Sequence, residues 1–168
     1  MFIKMKKLML SLAAVLTVAL FSACGGSTSY TEFKDEAKGF SFDVPSGLEK
    51  FDGPEAMGAT QFRLDGKILN SVSADVHENI MGDYDQAKID EEFNEASLGL
   101  STSPTKEKTA DGYIIKDSYK DMHRNEVQKV IYKGDKRYTV SVCWEDDNES
   151  KYGGEVAQHV LDSFKIAE

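Results

Sequence analysis

The sequence has little cysteine, histidine or concentrated positive charge, and each shortage removes a class of protein. Two cysteines in 168 residues cannot form a disulfide framework. The three histidines, His77, His123 and His159, stand too far apart for the close ligand spacing of a zinc motif. Lys and Arg number 20 against 29 Asp and Glu, a net charge of −9, and phosphate backbones repel such a surface. Nucleic-acid binding is excluded on that ground. There is no Gly-x-Ser-x-Gly, His-Glu-x-x-His, phosphate-binding loop or Cys-x-x-Cys. No repeat of 20–50 residues is visible. What is present, 40% hydrophobic and 10% aromatic residues, is too apolar for a disordered chain and suits one globular domain.

The first residues read as an address. Lys4, Lys6 and Lys7 precede a 14-residue apolar run, Leu8 to Phe21, with no carboxylate before Cys24. That run is shorter than the ~20 residues a bilayer span requires, and a positive flank before it describes a signal peptide. It ends in Phe21-Ser22-Ala23-Cys24, which resembles the lipobox of bacterial lipoproteins, although Phe21 stands where an aliphatic residue is usual. The resemblance implies that residues 1–23 are removed and that Cys24 carries a diacylglycerol and an N-terminal acyl chain, palmitate among them. Two or three acyl chains, at ~0.8 kcal/mol per buried methylene, hold a domain stably on a membrane. Residues 24–29 then form a lipidated tether, since Gly25-Gly26-Ser27-Thr28-Ser29 holds no apolar side chain. The expected location is the extracytoplasmic face of a bacterial membrane, outer or cell membrane according to the organism.

Residues 30–168 are expected to form a single α+β domain. Phe40, Phe42 and Val44 alternate with polar residues until Pro45-Ser46-Gly47, which marks a strand and its end. Gln61–Leu64 and Ile68–His77 flank Asp65-Gly66-Lys67, a hairpin signature. Ile89, Phe93, Ala96 and Leu100 lie on one helical stripe, predicting a helix over about residues 84–98. It is capped by Asp83 with Gln86, or starts at Asp85, and stops at Gly99 and Pro104. A meander follows: a weak strand before Asp111-Gly112, then Tyr113–Lys120, Glu126–Lys133 and Lys136–Trp144. In the last of these Tyr138, Val140, Val142 and Trp144 share one face. A final helix over Ser150–Ser163 would place Val156, Val160 and Phe164 on a stripe widened by Ala157 and Leu161.

Two stretches in this pattern are similar to the PsbP-like family, the extrinsic photosystem subunit and its bacterial lipoprotein relatives. They are Gly39-Phe40-Ser41-Phe42-Asp43-Val44-Pro45-Ser46-Gly47 near the start, and Gly134 with Tyr138-Thr139-Val140-Ser141 followed by Tyr152 and Val160-Leu161-Asp162-Ser163-Phe164 near the end. The resemblance implies an antiparallel β-sheet with helices packed on both faces, a PsbP-like α/β/α sandwich. It implies no cofactor and carries no catalytic residue.

Chemistry-bearing residues each have a bland reading beside the sharp one. Cys143 lies between Val142 and Trp144, with Glu145 near, and reads as a small buried hydrophobe rather than a nucleophile. Glu145-Asp146-Asp147-Asn148-Glu149 faintly echoes a calcium loop, with Asp146, Asp147 and Glu149 as candidate ligands. Lys151 occupies the position where that loop requires Gly, and carboxylates also suit the start of a helix. Asp83, Asp85, Asp90, Glu91, Glu92 and Glu95 read as a solvated helix face. These readings rank a non-enzymatic protein-binding or scaffolding lipoprotein first. A module for a small ligand or divalent cation comes second, and a hydrolase with a non-standard site third.

Overall fold

The period-two segments form strands. The computed structural model of the protein describes residues 28–101 and 103–167; the expected signal peptide, Cys24 and Gly25–Ser27 lie outside the described residues. Seven strands make one antiparallel sheet: β3 (Glu49–Phe51), β4 (Thr60–Leu64), β5 (Lys67–Glu78), β6 (Thr105–Lys108), β7 (Gly112–Tyr119), β8 (Arg124–Lys133) and β9 (Lys136–Glu145), in the order β3-β4-β5-β9-β8-β7-β6. The β4–β5 turn is tight because Asp65 and Gly66 both take positive φ, at 50° and 71°, which twists the chain as the flanking strands require.

One face of this sheet carries the main core. Val72, Ala74, Val140 and Val142 are at most 1% exposed, and β5–β9 pairing sets Val72 opposite Val142 and Ala74 opposite Val140. Tyr138 and Trp144 are buried in the same cluster, so the whole expected face of β9 points inward. Two layers cover it. One is α3 (Gly154–Ser163), through Ala157, Val160 and Leu161. The other is a second sheet, which the sequence reading did not separate: β1 (Tyr30–Asp35), β2 (Phe40–Pro45) and β10 (Lys165–Ile166), with β2 central. Phe40 and Phe42 of β2 meet Phe164 at ring separations of 5.6 and 6.4 Å, joining strand and helix in one aromatic cluster. Short β3 and β10 escaped the sequence reading because three and two residues are too few to show a period.

On the opposite face α1 (Gln86–Glu95) covers only the β7–β8 half. Ile89, Phe93 and Ala96 pack beside buried Tyr113, Ile115, Val130 and Tyr132, yet no residue of α1 is itself fully buried. The helix is shorter than expected at both ends. Asp85 is the N-cap, accepting from the Lys88 amide at 2.8 Å, while Gln86 bonds Asp90 instead of closing a capping box with Asp83. At the other end the Lys106 ammonium takes the carbonyls of Phe93 and Asn94 at 2.9 and 2.8 Å, ending the helix before Gly99. Leu98, and not Leu100, joins the apolar cluster.

The expected single closing helix is two. α2 (Glu149–Tyr152) and α3 are separated at Gly153, whose backbone is extended at ψ −170°. A β-carbon there would lie 2.5 Å from the Glu149 carboxylate, the movable end of a side chain, so the firmer demand for glycine is at Gly154, where φ is 47°. The Lys129 ammonium accompanies the end of α3, donating to the Leu161 carbonyl at 3.0 Å. Among the described residues no helix is long and apolar enough to cross a membrane.

Candidate binding face

Because α1 shields only β7 and β8, the neighbouring columns of the same sheet face lie outside its cover and are mostly polar. Asp75 is exposed and Ser73, Gln128 and Thr139 partly so, while Gln61, Arg63, Ser71 and Ser141 are buried among their neighbours. Strand register lays them out in rows. Gln61, Ser73, Ser141 and Gln128 lie across β4, β5, β9 and β8; Arg63, Ser71, Cys143 and Glu126 form the next row, and Asp75, Thr139 and Val130 the row on the other side. Between this floor and the end of α1 lies an open trough of ≈ 420 Å³, lined among others by Ser73, Asp75, Ser97, Gln128, Arg137 and Thr139. The Ser73 and Ser141 hydroxyls are 2.8 Å apart and bond one another.

One wall of the trough is fixed by a residue that the sequence pattern assigned to solvent. Glu92 turns toward the sheet, accepting from the Tyr132 hydroxyl at 2.7 Å and from Arg137 at 3.1 Å. Burial works against the Arg137 charge, but the Glu92 carboxylate outweighs it and the guanidinium pKa rises. Burial and the same carboxylate hold the Tyr132 hydroxyl protonated. Glu92 falls between Ile89 and Phe93 in sequence, which reads as outward, but three residues beyond Ile89 is about 300° of helical turn and sets it beside the apolar stripe.

Farther along, Arg63 is 5% exposed. Its guanidinium lies 3.6 Å from the Phe51 ring centroid and donates to Gln61 at 2.9 Å and to the Gly66 carbonyl at 3.3 Å. Beyond it Arg124 donates to the Cys143 sulfur at 3.3 Å and pairs with Glu126 at 2.7 Å. Sequence neighbours of Cys143 gave no hint of a cation; Arg124 arrives from the adjacent strand. Burial nevertheless dominates, raising the Cys143 pKa against the opposing pull of Arg124, so the sulfur stays a thiol at neutral pH. Glu126 is likewise raised by burial, against Arg124. A protonated thiol locked beneath a guanidinium is a packing group, not a poised nucleophile.

The acidic run before α2 diverges. Asp146 accepts from Asn125 at 2.7 Å and lies 3.0 Å from His123; Glu149 accepts from the Trp144 indole; Glu145 accepts from Asn70 at 2.7 Å. Asp147 is exposed. Asp146 and Glu149 are therefore committed to different partners, and among the described residues no group of three or more His, Cys, Asp or Glu is arranged to hold a metal ion. Of the other histidines, His159 bonds Asp43 at 2.9 Å and stacks on Tyr30, and His77 is exposed.

Asp117 has a structural task. It is 8% exposed and accepts from the Leu100, Ser101 and Ser118 amides at 3.2, 3.0 and 2.9 Å and from the Ser101 hydroxyl, pinning the chain after α1 to β7. Burial would raise its pKa, but the donors more than offset this and lower it. A lowered folded-state pKa gives stability that is present above the unfolded value of about 3.9 and lost as pH falls through the folded value. Asp117→Asn should cost about 1–3 kcal/mol at neutral pH and free the Leu100 and Ser101 amides for hydrogen exchange. The parent should release them only below about pH 4. Equal protection in both proteins at pH 7 would show the pin to be ineffective.

No protein-family model matches the chain, and no curated protein matches it in sequence. Solved structures do. The solution structure of cyanobacterial PsbP (CyanoP) from Synechocystis sp. PCC 6803 superposes with a TM-score of 0.53 at 18% identity, over 86% of this chain and 98% of that one. A protein of Bacteroides thetaiotaomicron VPI-5482 matches at 0.49 and 15% identity, over 82% of this chain and 48% of its own. The Ran-binding protein Mog1p of Saccharomyces cerevisiae matches at 0.44 and 14%, over 84% and 97%. At these identities the cyanobacterial likeness is one of fold. The chain has a PsbP-like α+β fold.

Proposed function

We propose that the protein is a lipid-anchored, extracytoplasmic binding module of a bacterial envelope, acting without catalysis and holding a polar segment of an envelope protein in the trough beside α1. The observation that carries this reading is the half-covered sheet face. Its uncovered columns bear hydroxyl, amide and charged side chains rather than apolar ones, on rigid strands, and so form a preorganised polar platform. The anchor rests on Lys4, Lys6 and Lys7, the short apolar run and the residues before Cys24. A small-ligand reading is favoured by one fact, a trough volume of ≈ 420 Å³, which falls in the range of small-molecule sites.

Two variants of the full chain test the parts separately. Cys24→Ser should move the mature domain from the membrane fraction, after a high-salt wash, to the soluble one; continued membrane retention would refute the anchor. Thr139→Trp should fill the trough while leaving melting unchanged. On native gels of detergent-solubilised membranes the parent should run in a species larger than its monomer, and Thr139→Trp in a smaller one. A parent that runs alone refutes the protein partner. If a small molecule co-purifies with it, and not with Thr139→Trp, the ligand reading takes its place.

A further inference from the structure

The β5–α1 connection displays two adjacent apolar side chains to solvent, Ile80 and Met81, exposed by 94% and 87%. They are held there by a built turn. The Met81 amide donates to the Asn79 side chain at 3.1 Å and the Gly82 amide to the Asn79 carbonyl at 3.1 Å. Both flanks are fastened to the β8–β9 turn: the Asn79 amide reaches the Asp135 carbonyl at 2.7 Å, and the Tyr84 amide reaches that of Gly134 at 2.9 Å. Gly82, at φ 103°, lets the chain reverse. Exposing two large apolar groups on an ordered turn has no folding benefit, and its backbone is already fixed in one shape, which lowers the entropy cost of docking.

We infer that this turn is a docking tip for a second envelope protein, one presenting an apolar cleft rimmed by Lys or Arg. Charge selects that occupant. Glu78, Asp83 and Asp85 on the turn and its flanks, with Asp135 in the turn that fastens it, face Lys133 and Lys136, the latter opposite Glu78, which leaves the region two charges negative. An acidic collar favours a basic rim, opposes phosphate headgroups, and makes a second copy of a chain with net charge −9 a poor partner.

Geometry agrees. Ser29 bonds the Ser46 amide at 2.8 Å, and Glu49 pairs with Arg63, so the described chain enters at the β4–β5 turn. The docking tip follows the other end of β5, 12 residues and roughly 40 Å away. Five tether residues reach at most about 18 Å, less than half the length from the entry point to the tip, so a domain standing upright on Cys24 holds the tip clear of the bilayer. The inference rests on the anchoring reading for this direction alone.

The test places a photo-crosslinking amino acid at Met81 of the full chain in native membranes, with Ile68, 52% exposed at the opposite end, as the reference position. One discrete protein adduct is expected at Met81 and not at Ile68. It should weaken roughly tenfold with Ile80→Ser and with the pair Glu78→Lys and Asp83→Lys, while melting stays unchanged. An adduct indifferent to those charge reversals, an adduct with phospholipid, a product of twice this chain's mass, or no adduct overturns the inference. Fractionation of Cys24→Ser in parallel keeps the two readings apart. Membrane retention there refutes the anchor, whereas the Met81 adduct and its charge dependence decide the docking.

Discussion

Val140→Asp should lower the melting temperature by about 12–20 °C, or prevent folding altogether. Val140 is 0% exposed and sits in the central strand between β5 and β8, opposite Ala74 and Lys129. A carboxylate there finds no water and displaces packed methyl groups; burial of an unpaired polar group costs about 4 kcal/mol. The adjacent Thr139 provides the control. It faces the polar trough directly across from Asp75, so Thr139→Asp meets solvent and one like charge. That change should cost no more than about 1 kcal/mol. Thermal melts of both variants against the parent would settle the register. If they melted together, the assignment of inner and outer faces to β9 would be wrong.

Phe42→Ala should destabilise by about 3–5 kcal/mol. Phe42 is 1% exposed, and its ring lies 5.7 Å from Phe33, 5.9 Å from Phe62 and 6.4 Å from Phe164. Those partners belong to β1, β4 and the end of α3, so one truncation opens a cavity where both sheets and the helix meet. Denaturant unfolding followed by Trp144 fluorescence and by far-ultraviolet circular dichroism should give coincident, shifted midpoints. A loss below about 1 kcal/mol, or separated transitions, would mean that the small sheet is not part of the same cooperative unit.

Much of this architecture was legible because alternation and turn residues are local signals. Tyr138, Val140, Val142 and Trp144 announced both strand and core face, and Asp65-Gly66 announced the hairpin. What stayed hidden depended on contacts between distant residues. Arg124 meets Cys143 through strand pairing, Lys106 ends α1 from a strand beyond it, and Glu92 turns inward because Arg137 and Tyr132 are there to receive it. The break at Gly153 was half visible: the glycine pair weakened the helix, but the extended backbone at Gly153 and the positive φ of Gly154 show only in the structure. The trough was least visible of all. Ser73, Thr139 and Ser141 read as the solvent face of any half-buried strand, and only the short reach of α1 turns that face into a platform.

The order of strands in the large sheet has a consequence for how the chain must be assembled during synthesis. β3, β4 and β5 form one local meander and β6 to β9 another, and the seam between them is the β5–β9 ladder, which pairs Ser71 through Glu78 with Cys143 back to Lys136. The first meander is complete when Glu78 has been made, yet its long edge has no partner until Lys136–Glu145 follows. β2 waits still longer, because Phe40 and Ser41 are paired by Ile166 and Lys165 at the far end of the sequence. Closing such long loops makes folding slow and leaves an adhesive strand edge open in the meantime. A chain released early would be the aggregating species, and whatever escorts it before completion must cover β5.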